Sequence, residues 1–260
     1  MASQWAAKRK LIYGIITVVV VGLAVSIPLF FFFYKTPTCT DGVKNQDEKG
    51  IDCGGVCTRL CPSDIAAPIV MWQRSFMVTP GVYSAVAYIQ NPNVLTRVDD
   101  ISYEFHLYDA NNVLIGVRTG RTFLPANKTF AVFESGIQTG GRVAVRTSFD
   151  FTEAPSWMQN SASYKEPIVL AENVTMSNDL SLPRIDAIIQ NTSLDPIGTV
   201  GVVAIIYDAD NNAIAASRTI VQNLAKQSSQ PVTFTWPAPF SSPVVRKEII
   251  VSVYPTGFVL

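Results

Sequence analysis

The cysteines of this chain all lie in one stretch, CTDGVKNQDEKGIDCGGVCTRLC, over residues 39–61. Cys39, Cys53, Cys57 and Cys61 are the residues most capable of chemistry. As thiolates they could hold zinc, although the usual zinc pattern is two close CxxC pairs. As oxidised cysteines they would form two disulfides, with three connectivities open. The choice depends on the side of a membrane at which the stretch lies, because disulfides persist outside the cytoplasm.

Oxygen-bearing side chains crowd the space between the first two cysteines: Asp41, Asn45, Asp47, Glu48 and Asp52. Hard oxygen donors in a loop punctuated by glycine suit Ca²⁺. An EF-hand register that begins at Asn45 fails because Lys49 falls at a ligand position. Two interpretations stay open: an irregular calcium loop whose first candidate ligands are Asp41, Asp47 and Asp52, or a solvated polar loop held by disulfides. We expect no cofactor, with calcium as the alternative.

Residues for catalysis are sparse in the rest of the chain. His106 is the only histidine, and a Gly-x-Ser-x-Gly elbow, a phosphate-binding loop and a GxGxxG motif are all missing. The acid pairs Asp99-Asp100 and Asp208/Asp210 fall at predicted strand ends, where Asp commonly begins a turn. We therefore predict no catalytic residue, no small-molecule substrate and a protein that is not an enzyme.

An uncharged segment precedes the cysteines. Residues 11–34 carry no charge, and a helix of that length rises about 36 Å, enough to cross a hydrocarbon core of about 30 Å. A cleaved signal peptide is the alternative, but its apolar region normally runs about 7–15 residues and ends in small residues. Residues 8–10 are basic, whereas only Lys35 follows the segment closely. The positive-inside rule then predicts a single-pass signal anchor in the cell membrane, with residues 1–10 as a cytoplasmic tail and residues 36–260 outside.

That topology favours disulfides over zinc at the four cysteines. The charge balance also limits the classes of partner. With 20 Lys+Arg against 20 Asp+Glu, the chain gives no reason to expect binding to nucleic acid. We expect the membrane itself and a protein of the cell envelope as partners.

Beyond the cysteines the chain is predicted to be all β. Short runs rich in Val, Ile, Tyr, Phe and Thr are separated by Asn, Asp, Gly and Pro. An internal repeat is present: YIQNPN (88–93) matches IIQNTS (188–193), and LYDANNVLIGVRT (107–119) matches IYDADNNAIAASRT (206–219). The offset of about 100 residues is the size of one β-sandwich. The predicted divisions are a collar and linker at 35–66, a first sandwich at 67–151, a linker at 152–166 and a second sandwich at 167–260.

Alternation along one strand of each copy predicts which side chains face the core. In the first copy these are Ile101, Tyr103, Phe105 and Leu107, opposite Val200, Val202, Ala204 and Ile206 in the second. The outward positions differ between the copies: Ser102, Glu104, His106 and Tyr108 against Gly201, Val203, Ile205 and Tyr207. Contiguous exposed apolar surface usually marks a contact site. We therefore predict that Val203, Ile205 and Tyr207 form an interface, covered by the first copy, by the linker around Trp157 or by a partner. Plain exposure, favoured by β propensity alone, is the alternative.

These motifs resemble a known family. FHLYD (105–109) is similar to the pattern of the FxLYD domain, a small Ig-like β-sandwich of bacterial and archaeal envelope proteins. The second copy is a divergent match, with Ala204 in place of the phenylalanine. The cysteine block resembles a pattern of bacterial surface proteins, found beside membrane spans, in which a DCGG motif is followed by two further cysteines. The resemblance implies tandem sandwiches in the cell envelope and implies no catalytic residue.

Together these observations favour a non-catalytic envelope protein whose transmembrane helix carries two β-sandwiches for protein binding or scaffolding. The alternative is an accessory subunit of a membrane-embedded secretion, pilus or transport complex, in which the span also packs on partner helices. Gly22 and Ser26 form a small-xxx-small pair that would allow such packing.

Overall fold

The computed structural model describes residues 2–33, 38–45, 47–57, 59–160, 167–177 and 180–258. The chain divides into two compact units, Met1–Cys57 and Thr58–Leu260. The predicted linker at 152–166 lies partly in residues that the structure describes and partly outside them.

The first unit begins with one long helix, α1 (Ala2–Phe33). Its segment Leu11–Phe30 has a mean hydropathy of 2.4 and is long and apolar enough to cross a membrane. The helix begins at Ala2, whereas the predicted span begins at Leu11, so the residues before the apolar segment are also helical. Pro28 lies inside the helix.

The collar within this unit, residues 38–57 where described, consists of turns. Its one bridge joins Gly50 and Cys53 in antiparallel fashion. Gly55 has a φ of +61°, and a Cβ there would lie 1.7 Å from the carbonyl oxygen of Asp47. Only glycine fits this position, because any side chain would collide with backbone that cannot move aside.

The second unit is built from strands. Those of its first half are β1 (Ile69–Thr79), β2 (Val82–Asn91), β3 (Thr96–Tyr108), β4 (Leu114–Leu124), β5 (Lys128–Gln138), β6 (Arg146–Phe151) and β7 (Met158–Gln159). Those of its second half are β8 (Val169–Ser177), β9 (Arg184–Asn191), β10 (Ile197–Tyr207), β11 (Ala213–Leu224), β12 (Ser229–Thr235) and β13 (Arg246–Val253). All described pairings are antiparallel.

Each half contains two sheets with equivalent strand orders. The first half has β1-β2-β5 and β4-β3-β6, the latter extended by β7 against β3, and the second half has β8-β9-β12 and β11-β10-β13. In each half the two sheets share one apolar cluster, centred on Phe105 in the first and on Phe234 in the second. The inward side chains predicted from alternation on β3 and β10 all belong to these clusters.

The repeated Asn and Asp residues make equivalent hydrogen bonds to the backbone in the two halves. Asn91 and Asn191 are fully buried, and each side-chain amide donates to carbonyls of neighbouring loops. Asp109 and Asp208 each accept two backbone N–H groups of the turn that follows, at 2.8–3.0 Å. These bonds explain why Asn and Asp persist in both copies, since their short side chains satisfy turn amides that no strand can pair.

The predicted linker is less irregular than expected. Met158 and Gln159 pair with β3, and Trp157, 5% exposed, packs in the core of the first half. Residues 161–166 lie outside the described part of the chain.

Candidate functional site

The collar cysteines are oxidised. Cys39 and Cys57 form a disulfide with a Cα–Cα distance of 5.7 Å. Cys53 and Cys61 are also disulfide-bonded, and among the described residues no cysteine is free. The prediction of disulfides is therefore confirmed, and no thiolate remains among these four residues to bind zinc.

A buried glutamate lies against the Cys39–Cys57 disulfide. Glu48 is 6% exposed, and its Oε1 lies 3.2 Å from Cys57 Sγ. Its Oε2 accepts the backbone N–H groups of Asn45 and Asp52, both at 3.3 Å. The side chain thus joins the acidic loop to the disulfide. The sequence does not distinguish Glu48 from its acidic neighbours, because composition gives no signal of which carboxylate is buried.

The predicted calcium ligands are not brought together. Asp41 accepts the backbone N–H of Val43 at 2.9 Å, and Asp52 accepts that of Gly42 at 2.9 Å through its nearer oxygen. Asp47 is exposed. Among the described residues, the one group of three metal-ligand atoms within 4.8 Å is Cys39, Glu48 and Cys57, whose sulfurs are bonded to each other. Calcium binding by Asp41, Asp47 and Asp52 stays a prediction.

The outward face of β10 lies against the first half of the second unit. Val203, Ile205 and Tyr207 are 5%, 0% and 3% exposed. They belong to a third apolar cluster with Val86 and Phe133 of the first half. Trp72, Phe76, Tyr88 and Ala131 pack against the same cluster and are partly buried. We call these packed residues the joint. The sequence left three elements that could cover this face of β10: the first half, the linker around Trp157 or a partner. The first half covers it, whereas Trp157 lies in the core of the first half.

Aromatic side chains organise the joint. Trp72 stacks on Tyr88 with ring centroids 5.3 Å apart and meets Tyr207 edge-on at 6.4 Å. Gly201 permits another close approach, because a Cβ there would lie 2.6 Å from the Tyr254 ring. The glycine at this outward position therefore reflects packing within the second half, a reason that the sequence alone did not reveal.

The carboxylate of Glu248, in the second half, accepts hydrogen bonds from tyrosine hydroxyls of both halves. Glu248 accepts hydrogen bonds from Tyr88 at 2.7 Å and from Tyr207 at 2.9 Å. Arg246 donates to Glu248 at 2.9 Å and lies 3.5 Å from the centroid of the Tyr207 ring. Arg74 adds a bond across the joint to the Asn212 side chain at 2.9 Å.

The joint perturbs the acidity of its members. Burial, followed by hydrogen bonding to Glu248, raises the pKa of Tyr207 to about 12 and raises that of Tyr88. Burial opposes ionisation of Glu248, but hydrogen bonds from Tyr88, Arg246 and Tyr207 outweigh it and lower its pKa. Glu248 is thus held as a carboxylate and both tyrosines as neutral donors, an arrangement suited to holding surfaces together.

A second buried carboxylate supports the first half beside the joint. Glu134 accepts from Tyr103 at 2.7 Å and from Arg118 at 2.8 Å. Burial, then the charge of Glu134, raises the pKa of the Tyr103 hydroxyl. Neither glutamate was singled out in the sequence. Their distant partners lie on other strands, so no local pattern indicates them.

The one histidine of the sequence, His106, is half-buried. His106 Nε2 lies 3.4 Å from Glu104 Oε2 on the outward face of β3. This outward face keeps polar side chains, in contrast to that of β10.

Comparisons with known proteins give only remote likenesses. No protein-family model matches the chain, and no curated protein matches it. A beta-glucuronidase of Bacteroides uniformis has a TM-score of 0.22 and 10% identity over 68% of this chain and 26% of its own. A putative beta-galactosidase from Bacteroides fragilis has a TM-score of 0.19 and 11% identity over 66% of this chain and 32% of its own. The chain thus spans about a quarter to a third of these proteins, and we draw no functional conclusion from them.

Proposed function

We propose that this chain is a non-catalytic, single-pass membrane protein of the bacterial cell envelope that presents two tandem Ig-like β-sandwiches for protein binding or scaffolding. Helix α1 anchors it, its N-terminus is cytoplasmic, and the disulfide-bonded collar and the sandwiches lie outside. The joint is the observation that carries the proposal. It buries the outward face of β10 and hydrogen-bonds the two halves through Glu248.

A buried joint supports presentation because it makes one rigid surface from two repeats. Contacts between domains of one chain are commonly small and polar, and such domains move relative to each other. Here the contact contains Val203, Ile205 and a three-ring aromatic group. Partner-binding loops and edges on both halves would then keep fixed spacing, which lowers the ordering cost of binding.

The non-catalytic part of the proposal is supported by the charged groups of one groove, about 390 Å³ in volume, between β3, β4 and the segment after β13. Arg97 donates to Asp99 and to Asn160, each at 2.6 Å. These groups neutralise one another instead of converging on a reactant, as catalytic side chains would.

Topology provides the first test. Protease added to spheroplasts should remove the chain after residue 35, and the intact mass of the membrane-extracted protein should retain residues 1–34. Protection of the β-rich unit would contradict the orientation, and a mass lacking the helix would contradict anchoring. Crosslinking in native membranes then separates the two functional alternatives, since a membrane complex joined through Gly22 and Ser26 would favour an accessory subunit.

A further inference from the structure

A groove opens where the joint ends. It has a volume of about 330 Å³ and is lined by residues 75–78 of β1, Ser84, residues 214–216 of β11 and the segment 236–241. We call it the β1 groove. None of its lining residues is charged. An occupant with a net charge would lose its hydration without gaining a counter-charge, so the groove selects for a neutral one.

The groove continues the apolar surface of the joint. Phe76 and Ala216 both line it and both pack in the joint cluster. Trp236 and Phe240 form its outer wall with ring centroids 5.2 Å apart, and the indole N–H of Trp236 donates to the Ala216 carbonyl at 3.3 Å. This hydrogen bond holds the Trp236 ring at the wall of the groove.

A buried hydroxyl in the groove has no partner. Ser84 is 2% exposed, and its Oγ makes no hydrogen bond within the described residues. It lies opposite Phe76 in the β1–β2 ladder, so both side chains share the face that looks toward the second half. A buried polar atom left unpaired is costly, so this face of the groove is not arranged for stability alone.

The mouth of the groove is the edge of a sheet. β1 occupies an outer position in the order β1-β2-β5, and Met77 and Val78 are 58% and 37% exposed at its end. Such an edge offers main-chain groups to an added strand, while a neighbouring pocket selects the side chain that the strand carries.

We propose that the β1 groove binds an extended, uncharged segment of a partner polypeptide. The segment pairs with β1 near Met77 and inserts one large apolar side chain between Phe76 and Trp236. This inference rests on the proposed binding function and gives that function a location and a class of partner.

A peptide series tests the proposal on the full chain in detergent micelles. The probes are fluorescent nonapeptides of alternating Thr and Val with Leu, Phe or Gly at the centre, and the measurement is polarisation. We expect saturable binding of the Leu or Phe peptide and binding at least about 10-fold weaker for the Gly peptide, the ratio that a lost apolar anchor produces. Absence of saturable binding by every probe up to about 1 mM would overturn the proposal.

Matched variants locate the site. Val78→Lys should weaken binding at least about 10-fold, whereas Val117→Lys, which changes an exposed valine on β4, should alter it less than about twofold. Ser84→Ala should raise the melting temperature by about 1–4 °C because it removes an unpaired hydroxyl, and should alter binding less than about twofold because the segment pairs with β1 and not with β2. Equal effects of Val78→Lys and Val117→Lys would reject the groove. The proposed function itself would survive that result, because it is judged by topology and native crosslinking.

Discussion

Strands β3 and β10 occupy equivalent positions in the two halves, yet their outward faces differ. On β3 the outward side chains Glu104 and His106 are half-buried, and Glu104 Oε2 lies 3.4 Å from His106 Nε2. Their counterparts on β10 are Val203 and Ile205, which are 5% and 0% exposed within the joint. The inward faces agree in pattern and both fill a core. Inward residues thus define the shared fold, whereas outward residues define where one half meets another.

The difference has an energetic meaning. Full burial of a Val or Ile side chain contributes about 1.5–3 kcal/mol relative to exposure. Two such residues and an aromatic group make the joint worth several kcal/mol before entropy is counted. The contact between the equivalent polar residues on β3 would contribute about 0.5–1.5 kcal/mol, as a single hydrogen bond does.

A charge placed at the centre of each outward face should give the largest difference in stability between the two halves. Ile205→Lys would force an ammonium into the apolar joint, opposite a Glu248 carboxylate that already has its hydrogen-bond donors. It should lower the free energy of unfolding by at least about 3 kcal/mol. His106→Lys, at the equivalent position on β3, should change it by less than about 0.5 kcal/mol. Urea unfolding of the full chain in micelles, followed by tryptophan fluorescence, gives both values. Similar losses in the two variants would mean that β10 is not covered in solution.

Removing the charge that joins the halves should have a smaller effect. Glu248→Gln keeps the shape but weakens the hydrogen bonds from Tyr88 and Tyr207, and should cost about 1–3 kcal/mol. Glu104→Gln on the outward face of β3 is the control and should cost less than about 1 kcal/mol. The same unfolding measurement applies, with near-ultraviolet circular dichroism to report Trp72 in the joint. A cost that is equal in the two variants would argue against a bridging role for Glu248.

Acid should remove the contribution of Glu248. Its folded-state pKa is lowered, so its stabilisation is fully present above the ordinary glutamate pKa and is lost as the pH falls through the folded value. The stability difference between wild type and Glu248→Gln should therefore be constant from neutral pH down to the ordinary value and shrink below it. Unfolding at a series of pH values gives this difference. A gap that widens in acid would reverse the assigned sign.

Much of the fold follows from local patterns. Alternation along residues 101–107 and 200–206 predicts the core faces because the side-chain period of a strand is fixed by its backbone. The repeated Asn and Asp residues predict the turns for a similar reason. The tyrosine partners of Glu134 and Glu248 could not be predicted, because they lie far away in the sequence and meet these glutamates only after folding. Trp157 shows the same limit, since a polar surrounding sequence gave no sign that its ring completes the first core.

The turns after β3 and β10 offer the finest test of the comparison, because they should respond alike. Asn112 and Asn211 both have a φ of +58°, a conformation that Asn tolerates and Ala does not. Asn112→Ala and Asn211→Ala should each cost about 1 kcal/mol through backbone strain. Asn211 also accepts from Arg246 at 2.8 Å, and Arg246 contacts Glu248, whereas Asn112 accepts from Arg146 at 3.4 Å. Unfolding of both variants in urea measures how far the joint extends. Losses within about 0.5 kcal/mol of each other would confine the joint to the strands, and a clearly larger loss at Asn211 would extend it through Arg246 into the turn.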